Sequence, residues 1–158
     1  MIKSNINDII FDSIVDGPGL RTTIFMQGCE HKCFKCHNPS TWTDEKKKLY
    51  TTDELFNEID AVNFSKRLTL SGGDPLFQCE ATIEIAKKFK ENDYHIVLYT
   101  GYTFSEIEID TQKKEILNYI DVLVDGKFEY DKIDLNSNKF RGSTNQNYIE
   151  IKNKITSK

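Results

Sequence analysis

The 158-residue chain is long enough for one domain with a buried core, and 38% of its residues are apolar against 29% charged. The net charge of −4 argues against a general nucleic-acid binder or a protein that binds anionic membranes. No apolar run approaches the roughly 20 residues of a membrane span, and residues 1–5 lack the apolar stretch of a secretory signal. The four cysteines do not form a secreted disulfide framework. We therefore expect a single domain, residues 1–158, in the reducing cytoplasm.

Strand-like and helix-like segments alternate along the chain. The strand-like segments are rich in β-branched and aromatic residues: 9–11, 22–26, 67–71, 95–100, 122–124 and 148–151. The helix-like segments place apolar residues on one face: 51–62, about 80–91 and about 105–119. The first helix should begin with a capping box from Thr51 to Glu54. The alternation predicts an α/β fold with a mainly parallel sheet and flanking helices.

The length limits how far such a sheet can close. A closed (β/α)₈ barrel takes about 250 residues, so this chain can form only an open, partial (β/α) barrel. Each predicted strand ends in a polar or glycine-bearing turn, and in parallel α/β folds the carboxyl ends of strands carry the chemistry. We therefore expect four turns to meet at one edge of the sheet: 28–39, 71–74, 100–101 and 125–127.

Three cysteines within eight residues dominate the sequence. Cys29, Cys33 and Cys36 have the spacing C-x3-C-x2-C, which differs from the paired C-x2-C motifs of structural zinc sites. A 4Fe-4S cluster normally takes four protein thiolates, so three leave one iron open to bind and transform a small molecule. The alternative is a three-thiolate zinc site completed by His31 or His37.

The remaining cysteine and histidines have simpler readings. Cys79 begins a predicted helix and is interpreted as a small buried apolar residue. It would be a fourth ligand only if the cluster has no open iron. His31 lies between two predicted ligands and is expected to face solvent, whereas His95 begins a strand and is expected to be structural.

Several motifs together resemble the radical S-adenosylmethionine (SAM) activases of glycyl-radical enzymes. They are 16–21 (DGPGLR), 27–29 (QGC), 36–39 (CHNP), Trp42, 121–128 (DVLVDGKF) and 141–146 (RGSTNQ). The resemblance covers residues 9–151. The flanking motifs and the short length are similar to the activases of anaerobic (class III) ribonucleotide reductase.

The resemblance implies one 4Fe-4S cluster on the three cysteines, with SAM bound to the fourth iron. Reductive cleavage of SAM would give a 5′-deoxyadenosyl radical, which removes a hydrogen atom from one glycine of the partner enzyme. The SAM-binding residues implied are Lys35, Cys36, His37, Gly72, Gly73, Asp74, Thr100, Asp125 and Lys127. Without the resemblance, Gly72 and Gly73 are interpreted as a plain turn and His37 as an ordinary loop residue. Asp125 and Lys127 are then interpreted as solvated charges.

The resemblance also implies two protein partners. These are the large subunit of anaerobic ribonucleoside-triphosphate reductase and a low-potential electron donor such as reduced flavodoxin. The residues expected at the partner or beside the site are Asp16, Gly17, Arg21 and Arg141, in segments that are otherwise read as turns. Two alternatives stay open: activation of another glycyl-radical enzyme such as pyruvate formate-lyase, and a zinc-binding interaction module.

Overall fold

The computed structural model describes residues 2–31, 33, 41–43, 45–135 and 139–151. These residues form one seven-stranded sheet with helices. The strands are β1 (Lys3–Ser13), β2 (Arg21–Met26), β3 (Lys48–Thr51), β4 (Arg67–Gly72), β5 (His95–Tyr99), β6 (Val122–Asp125) and β7 (Asn147–Glu150). The α-helices are α1 (Thr52–Asp60), α2 (Cys79–Lys90) and α3 (Phe104–Ile109). Short 3₁₀ helices span Pro75–Gln78, Lys113–Asn118 and Tyr130–Lys132.

The sheet is mixed rather than mainly parallel. Its strand order is β3-β1-β2-β4-β5-β6-β7, and only β2, β4, β5 and β6 run parallel to one another. β1 pairs antiparallel with both β2 and β3, and β7 pairs antiparallel with β6. The link from β1 to β2, residues 14–20, is too short for the crossover that a parallel pair requires.

The two faces of the sheet have different surroundings. Ile24, Leu70 and Leu98 belong to the large core cluster that includes apolar residues of α1 and α2. Residues one position along each strand point to the opposite face, as the strand period of two requires. That face carries Phe25 and Tyr99, and it borders a cavity of about 610 Å³.

Local sequence explains where the helices begin and end. Thr51 caps α1 through the predicted capping box, accepting a hydrogen bond from the Glu54 amide at 3.2 Å. The predicted helix over 105–119 is broken. Asp110 Oδ1 accepts hydrogen bonds from the amides of Gln112 (2.9 Å) and Lys113 (3.0 Å), which compete with helical bonding. In the described part of the chain, no helix has the length and apolar character needed to cross a membrane.

Candidate functional site

A cavity of about 610 Å³ lies at the carboxyl ends of the parallel strands. Its lining comes from the four predicted turns of that edge, from residues 140–146, and from residues 14–16 of the β1–β2 loop, which leads to the amino end of β2. Described lining residues are Ile14–Asp16, Phe25, Cys29, His31, Cys33, Ser71–Gly73, Tyr99–Gly101, Gly126, Phe128, Phe140–Gly142 and Gln146. The volume lies within the usual range for a small-molecule site, about 300–1,000 Å³.

Two of the three predicted cluster ligands line this cavity. Cys29 is buried and Cys33 is half-buried. The third, Cys36, lies outside the described residues together with Lys35 and His37. In the part of the chain that the structure describes, no group of three or more metal-ligating side chains is assembled. Two soft thiol donors on one cavity nevertheless fit an iron–sulfur cluster better than a hard cation.

Backbone hydrogen bonds close the base of the cysteine segment. The amide of Gly28 donates to the carbonyl of Thr41 at 2.6 Å, and the amide of Cys29 donates to Trp42 at 3.3 Å. The amide of Asp74 donates to the Gly28 carbonyl at 2.8 Å and ties this base to the turn after β4. These bonds hold Thr41 and Trp42 beside Gly28 and Cys29, so the first cysteine lies at a fixed base next to the end of β4.

Gly72 and Gly73 both line the cavity. Gly72 has φ +114°, and a Cβ on it would collide with the backbone of Met26. A Cβ on Gly73 would lie 2.8 Å from the Thr41 oxygen, so glycine lets this turn pack against the base of the cysteine segment. The Gly73 amide donates to Met26 at 2.9 Å. Contact of this turn with SAM stays a prediction.

The carboxylate of Asp74 is 1% exposed and is engaged within the protein. It accepts hydrogen bonds from Thr100 Oγ1 (2.9 Å), the Gly101 amide (2.9 Å), the Leu76 amide (2.9 Å) and His31 Nε2 (2.6 Å). Asp74 thus joins three turns of the cavity edge, and its side chain does not line the cavity in the described structure.

The expectation that His31 faces solvent is wrong. Its side chain is 5% exposed, and it packs edge-to-face on Tyr102 with ring centroids 4.6 Å apart. No local pattern signals this position, because its partner Asp74 is 43 residues away in sequence.

The turn after β6 places its three residues differently. Gly126 lines the cavity, but the described lining includes neither Asp125 nor Lys127. The Asp125 carboxylate is buried and accepts hydrogen bonds from the amides of Phe104 (2.7 Å) and Asn147 (3.2 Å). Lys127 is exposed. Asp125 therefore anchors α3 and β7 to the end of β6.

The residues expected at the partner fall into two places. Asp16 and Arg141 line the cavity, and Arg141 is held by an ion pair with Asp134 at 2.7 Å. Gly17 is buried with φ +127° in the loop after β1. Arg21 is 1% exposed at the amino end of β2, so the structure places it in the interior and away from the cavity edge.

Arg21 forms a dense set of hydrogen bonds where it lies. Its guanidinium donates to the carbonyls of Pro18 (2.6 Å), Leu68 (3.1 Å) and His95 (2.9 Å) and to Thr69 Oγ1 (2.9 Å). Burial lowers the pKa of Arg21 to about 10, which leaves the group cationic at neutral pH. The structural reading of His95 is confirmed, because its ring nitrogen Nδ1 lies 2.9 Å from this guanidinium.

The interpretation of Cys79 as a buried apolar residue is confirmed. It is 7% exposed and belongs to the main core, and burial raises the pKa of its thiol. It lines a neighbouring groove rather than the cavity that Cys29 and Cys33 share.

Four aromatic residues of the cavity were not among the predicted site residues: Phe25, Tyr99, Phe128 and Phe140. The Tyr99 hydroxyl donates to the Phe140 carbonyl at 2.5 Å and holds the segment after residue 139 against β5. Burial raises the pKa of Tyr99, so it stays a neutral donor. In the sequence, only the strand period of two indicates that Tyr99 shares a sheet face with Val97 and not with Leu98.

Comparison with known proteins identifies the family. A model of a 4Fe-4S single cluster domain matches residues 15–149. Anaerobic ribonucleoside-triphosphate reductase-activating proteins of Pasteurella multocida and Enterobacteria phage T4 are each 39% identical. The alignments cover 84% of this chain and 89% and 85% of those relatives. The pyruvate formate-lyase-activating enzyme of Clostridium pasteurianum is 38% identical, over 78% of this chain and 52% of that enzyme.

A solved structure supports the fold. The crystal structure of QueE from Escherichia coli matches with a TM-score of 0.54 at 18% identity, over 64% of this chain and 54% of that one. The identity is low, so this likeness concerns the fold alone. The sequence relatives and the matching domain carry the assignment: this chain belongs to the family of anaerobic ribonucleoside-triphosphate reductase-activating proteins and has its 4Fe-4S single cluster domain.

Proposed function

We propose that this protein is a radical SAM activase that generates a glycyl radical on anaerobic ribonucleotide reductase. The observation that carries the proposal is the position of Cys29 and Cys33. Within a 4Fe-4S domain of the activating-protein family, both line one cavity at the carboxyl ends of parallel strands.

Cys29, Cys33 and Cys36 hold the cluster through their thiolates. Once bound and reduced by an external donor, the cluster would supply one electron to the SAM sulfonium, giving methionine and a 5′-deoxyadenosyl radical. That radical would take a hydrogen atom from the partner's glycine and become 5′-deoxyadenosine, leaving the glycyl radical. The zinc-module alternative is not supported, because the matching domain is a 4Fe-4S domain.

The cavity binds SAM in this proposal. Gly72 and Gly73 bring main chain to its wall, since a side chain at either position would collide with neighbouring backbone. Lys35, Cys36 and His37 remain proposed contacts to the adenine side. Thr100 lines the cavity and remains a proposed SAM contact. The Asp74 carboxylate holds the turns in place through Thr100 and Gly101, which leaves the Asp74 backbone as its proposed contact.

Asp125 and Lys127 remain proposed for the ribose and carboxylate of SAM. Only Gly126 of that turn lines the cavity in the described structure, so either residue would have to reorient on binding. Because hydrogen bonds already hold the Asp125 carboxylate, we expect the exposed Lys127 side chain to reorient more readily.

We propose that the sheet is an open partial (β/α) barrel. The helices lie on one face and the cavity on the other, which is the arrangement that such a barrel requires. The antiparallel strands at both edges of the sheet stop it from extending into further parallel units.

The large reductase subunit is the proposed partner, and it brings its glycine to the cavity mouth. Ile14 and Val15 line the cavity and are 70% and 71% exposed, an apolar edge that a folded protein substrate would cover. Asp16 and Arg141 also line the cavity, and Gly17 follows Asp16 in the same loop, so these three residues remain proposed for the partner side. A low-potential carrier such as reduced flavodoxin is the proposed electron donor, and the cytoplasm the proposed location.

The test is to incubate the anaerobic protein with SAM, a strong reductant and a class III reductase, and to record the EPR spectrum. We expect a doublet glycyl signal on the reductase that depends on SAM and disappears with Cys33→Ala. No signal from the correct partner, with an intact cluster and SAM cleavage, would contradict the assignment. A signal on pyruvate formate-lyase but not on the reductase would favour the activity named for the Clostridium pasteurianum relative.

A further inference from the structure

The cysteine segment is tied to the sheet edge by a side chain that is not a predicted ligand. His31 stands between Cys29 and Cys33, and its Nε2 lies 2.6 Å from Asp74 Oδ2. A carboxylate can only accept, so this bond requires the proton on Nε2. Both side chains are almost fully buried, at 5% and 1% exposure, so water does not compete for the bond.

Asp74 is itself fixed from two directions. The Leu76 amide donates to its Oδ1 at 2.9 Å, so the carboxylate caps the 3₁₀ helix after β4. Thr100 Oγ1 and the Gly101 amide donate to it from the turn after β5. An acceptor held by two turns of the sheet gives His31 a rigid anchor.

The imidazole ring also has a fitted surface. A Cβ on Gly101 would lie 2.5 Å from His31 Cδ2, so the ring occupies space that only glycine leaves open. Tyr102 also packs edge-to-face with the ring, with centroids 4.6 Å apart. The ring is therefore held by one hydrogen bond and two packing contacts, all from the ends of β4 and β5.

We infer that His31 and Asp74 are positioning residues, which fix the first half of the cysteine segment so that Cys29 and Cys33 face the cavity. The inference deepens the proposed function and rests on it in one respect, since it takes these cysteines as cluster ligands. Neither side chain bonds to the metal. Outer residues that orient ligands commonly change metal affinity or activity 10–100-fold when they are removed.

Three variants of the full-length protein test this arrangement. His31→Phe keeps a ring against Gly101 and Tyr102 but removes the donor to Asp74. His31→Gln restores an N–H donor near the Nε2 position. His95→Phe is the matched control, because it replaces a half-buried histidine of the same sheet at the far, amino end of β5.

The readout is the rate at which a chelator removes iron from the reconstituted protein, measured beside the thermal unfolding midpoint. We expect His31→Phe to lose iron about 10–100-fold faster than wild type, or to fail to assemble a cluster while the other variants succeed. We expect the iron-release rates of His31→Gln and His95→Phe to change by less than about 10-fold from wild type. The rate of SAM cleavage at saturating SAM should be lowest for His31→Phe, the variant that releases iron fastest, and near wild type for the other two.

Three results would overturn the inference: wild-type iron release from His31→Phe, equally fast release from His31→Gln, or equally fast release from His95→Phe. The rates do not depend on the reductase or on glycyl-radical formation. A protein that fails to activate the reductase can therefore still show the expected order, which separates failure of the proposed function from failure of this inference.

Discussion

Among single residues, two buried carboxylates, Asp74 and Asp125, hold neighbouring turns and elements of the site together. Asp74 joins the cysteine segment, the turn after β4 and the turn after β5 through one buried carboxylate. Asp125 does the same for α3 and β7. Burying a carboxylate costs free energy unless hydrogen-bond donors surround it. The turns that supply these donors are therefore held in the positions that the structure shows.

Replacing Cys79 tests the ligand set. Cys79→Ala should leave about four irons per chain, the content of one 4Fe-4S cluster, because Cys79 packs in the core and not on the cavity of Cys29. The lost sulfur should lower the free energy of unfolding by about 1 kcal/mol. Iron analysis after anaerobic reconstitution measures the first effect and urea unfolding the second. Loss of iron from Cys79→Ala comparable to that from Cys33→Ala would show that Cys79 is a ligand.

Replacing Gly73 tests the packing of the turn on the cysteine segment. Gly73→Ala should lower the free energy of unfolding by about 2–3 kcal/mol, because the new methyl group meets backbone atoms that cannot turn away. The control is Gly126→Ala, because the nearest atoms to its new Cβ would be 3.9 Å away. The positive φ of +94° alone should lower its free energy of unfolding by about 1–2 kcal/mol. Equal losses in the two variants, by urea unfolding, would refute the close approach.

At the scale of elements, the amino ends of the strands are built differently from the cavity edge. Arg21 at the start of β2 donates to β4 and β5 and to the loop before it, so one cation closes that end of the sheet. His95 at the start of β5 accepts from it. The histidine must stay neutral for this, since a protonated ring would face the guanidinium with like charge.

This contact predicts a pH dependence. Burial and then the Arg21 cation lower the pKa of His95 below its usual 6.5. The unfolded chain therefore binds a proton near pH 6.5 that the folded chain resists, and stability falls as the pH drops from about 6.5 toward the folded pKa. The slope from this one group is at most about 1.4 kcal/mol per pH unit.

His95→Asn isolates the effect, because its side-chain oxygen can accept from Arg21 without titrating. The free energy of unfolding of identically prepared samples should fall less for the variant than for wild type between pH 7.5 and 5.5. The same fall in both proteins would show that His95 does not contribute.

The elements also show what local sequence can and cannot predict. Strands such as β2 and β5 are short apolar runs between polar turns, and the capping box fixes the start of α1, so both could be predicted. β3 could not, because Lys48–Thr51 has no apolar run and is a strand only through its pairing with β1. The tie of His31 to Asp74 was hidden for the same reason, as it depends on a contact that only the folded sheet creates.

In the whole molecule, one face of the sheet packs on the apolar core and the other carries the candidate site. The face toward α1 and α2 is packed with apolar side chains, and the opposite face borders the cavity with its cysteines. The apolar residues Ile14 and Val15 at the cavity mouth remain exposed. Such a division lets a small domain keep a solid core while one side stays open for SAM and a protein substrate.

The proposed activity requires an iron of the cluster that no protein side chain covers and that SAM can bind. EPR of the reduced protein during titration with SAM examines this directly. We predict that the spectrum changes with added SAM and that the change saturates at about one SAM per chain, since one open iron offers one site. A reduced cluster whose spectrum is unaltered by saturating SAM would contradict the proposal.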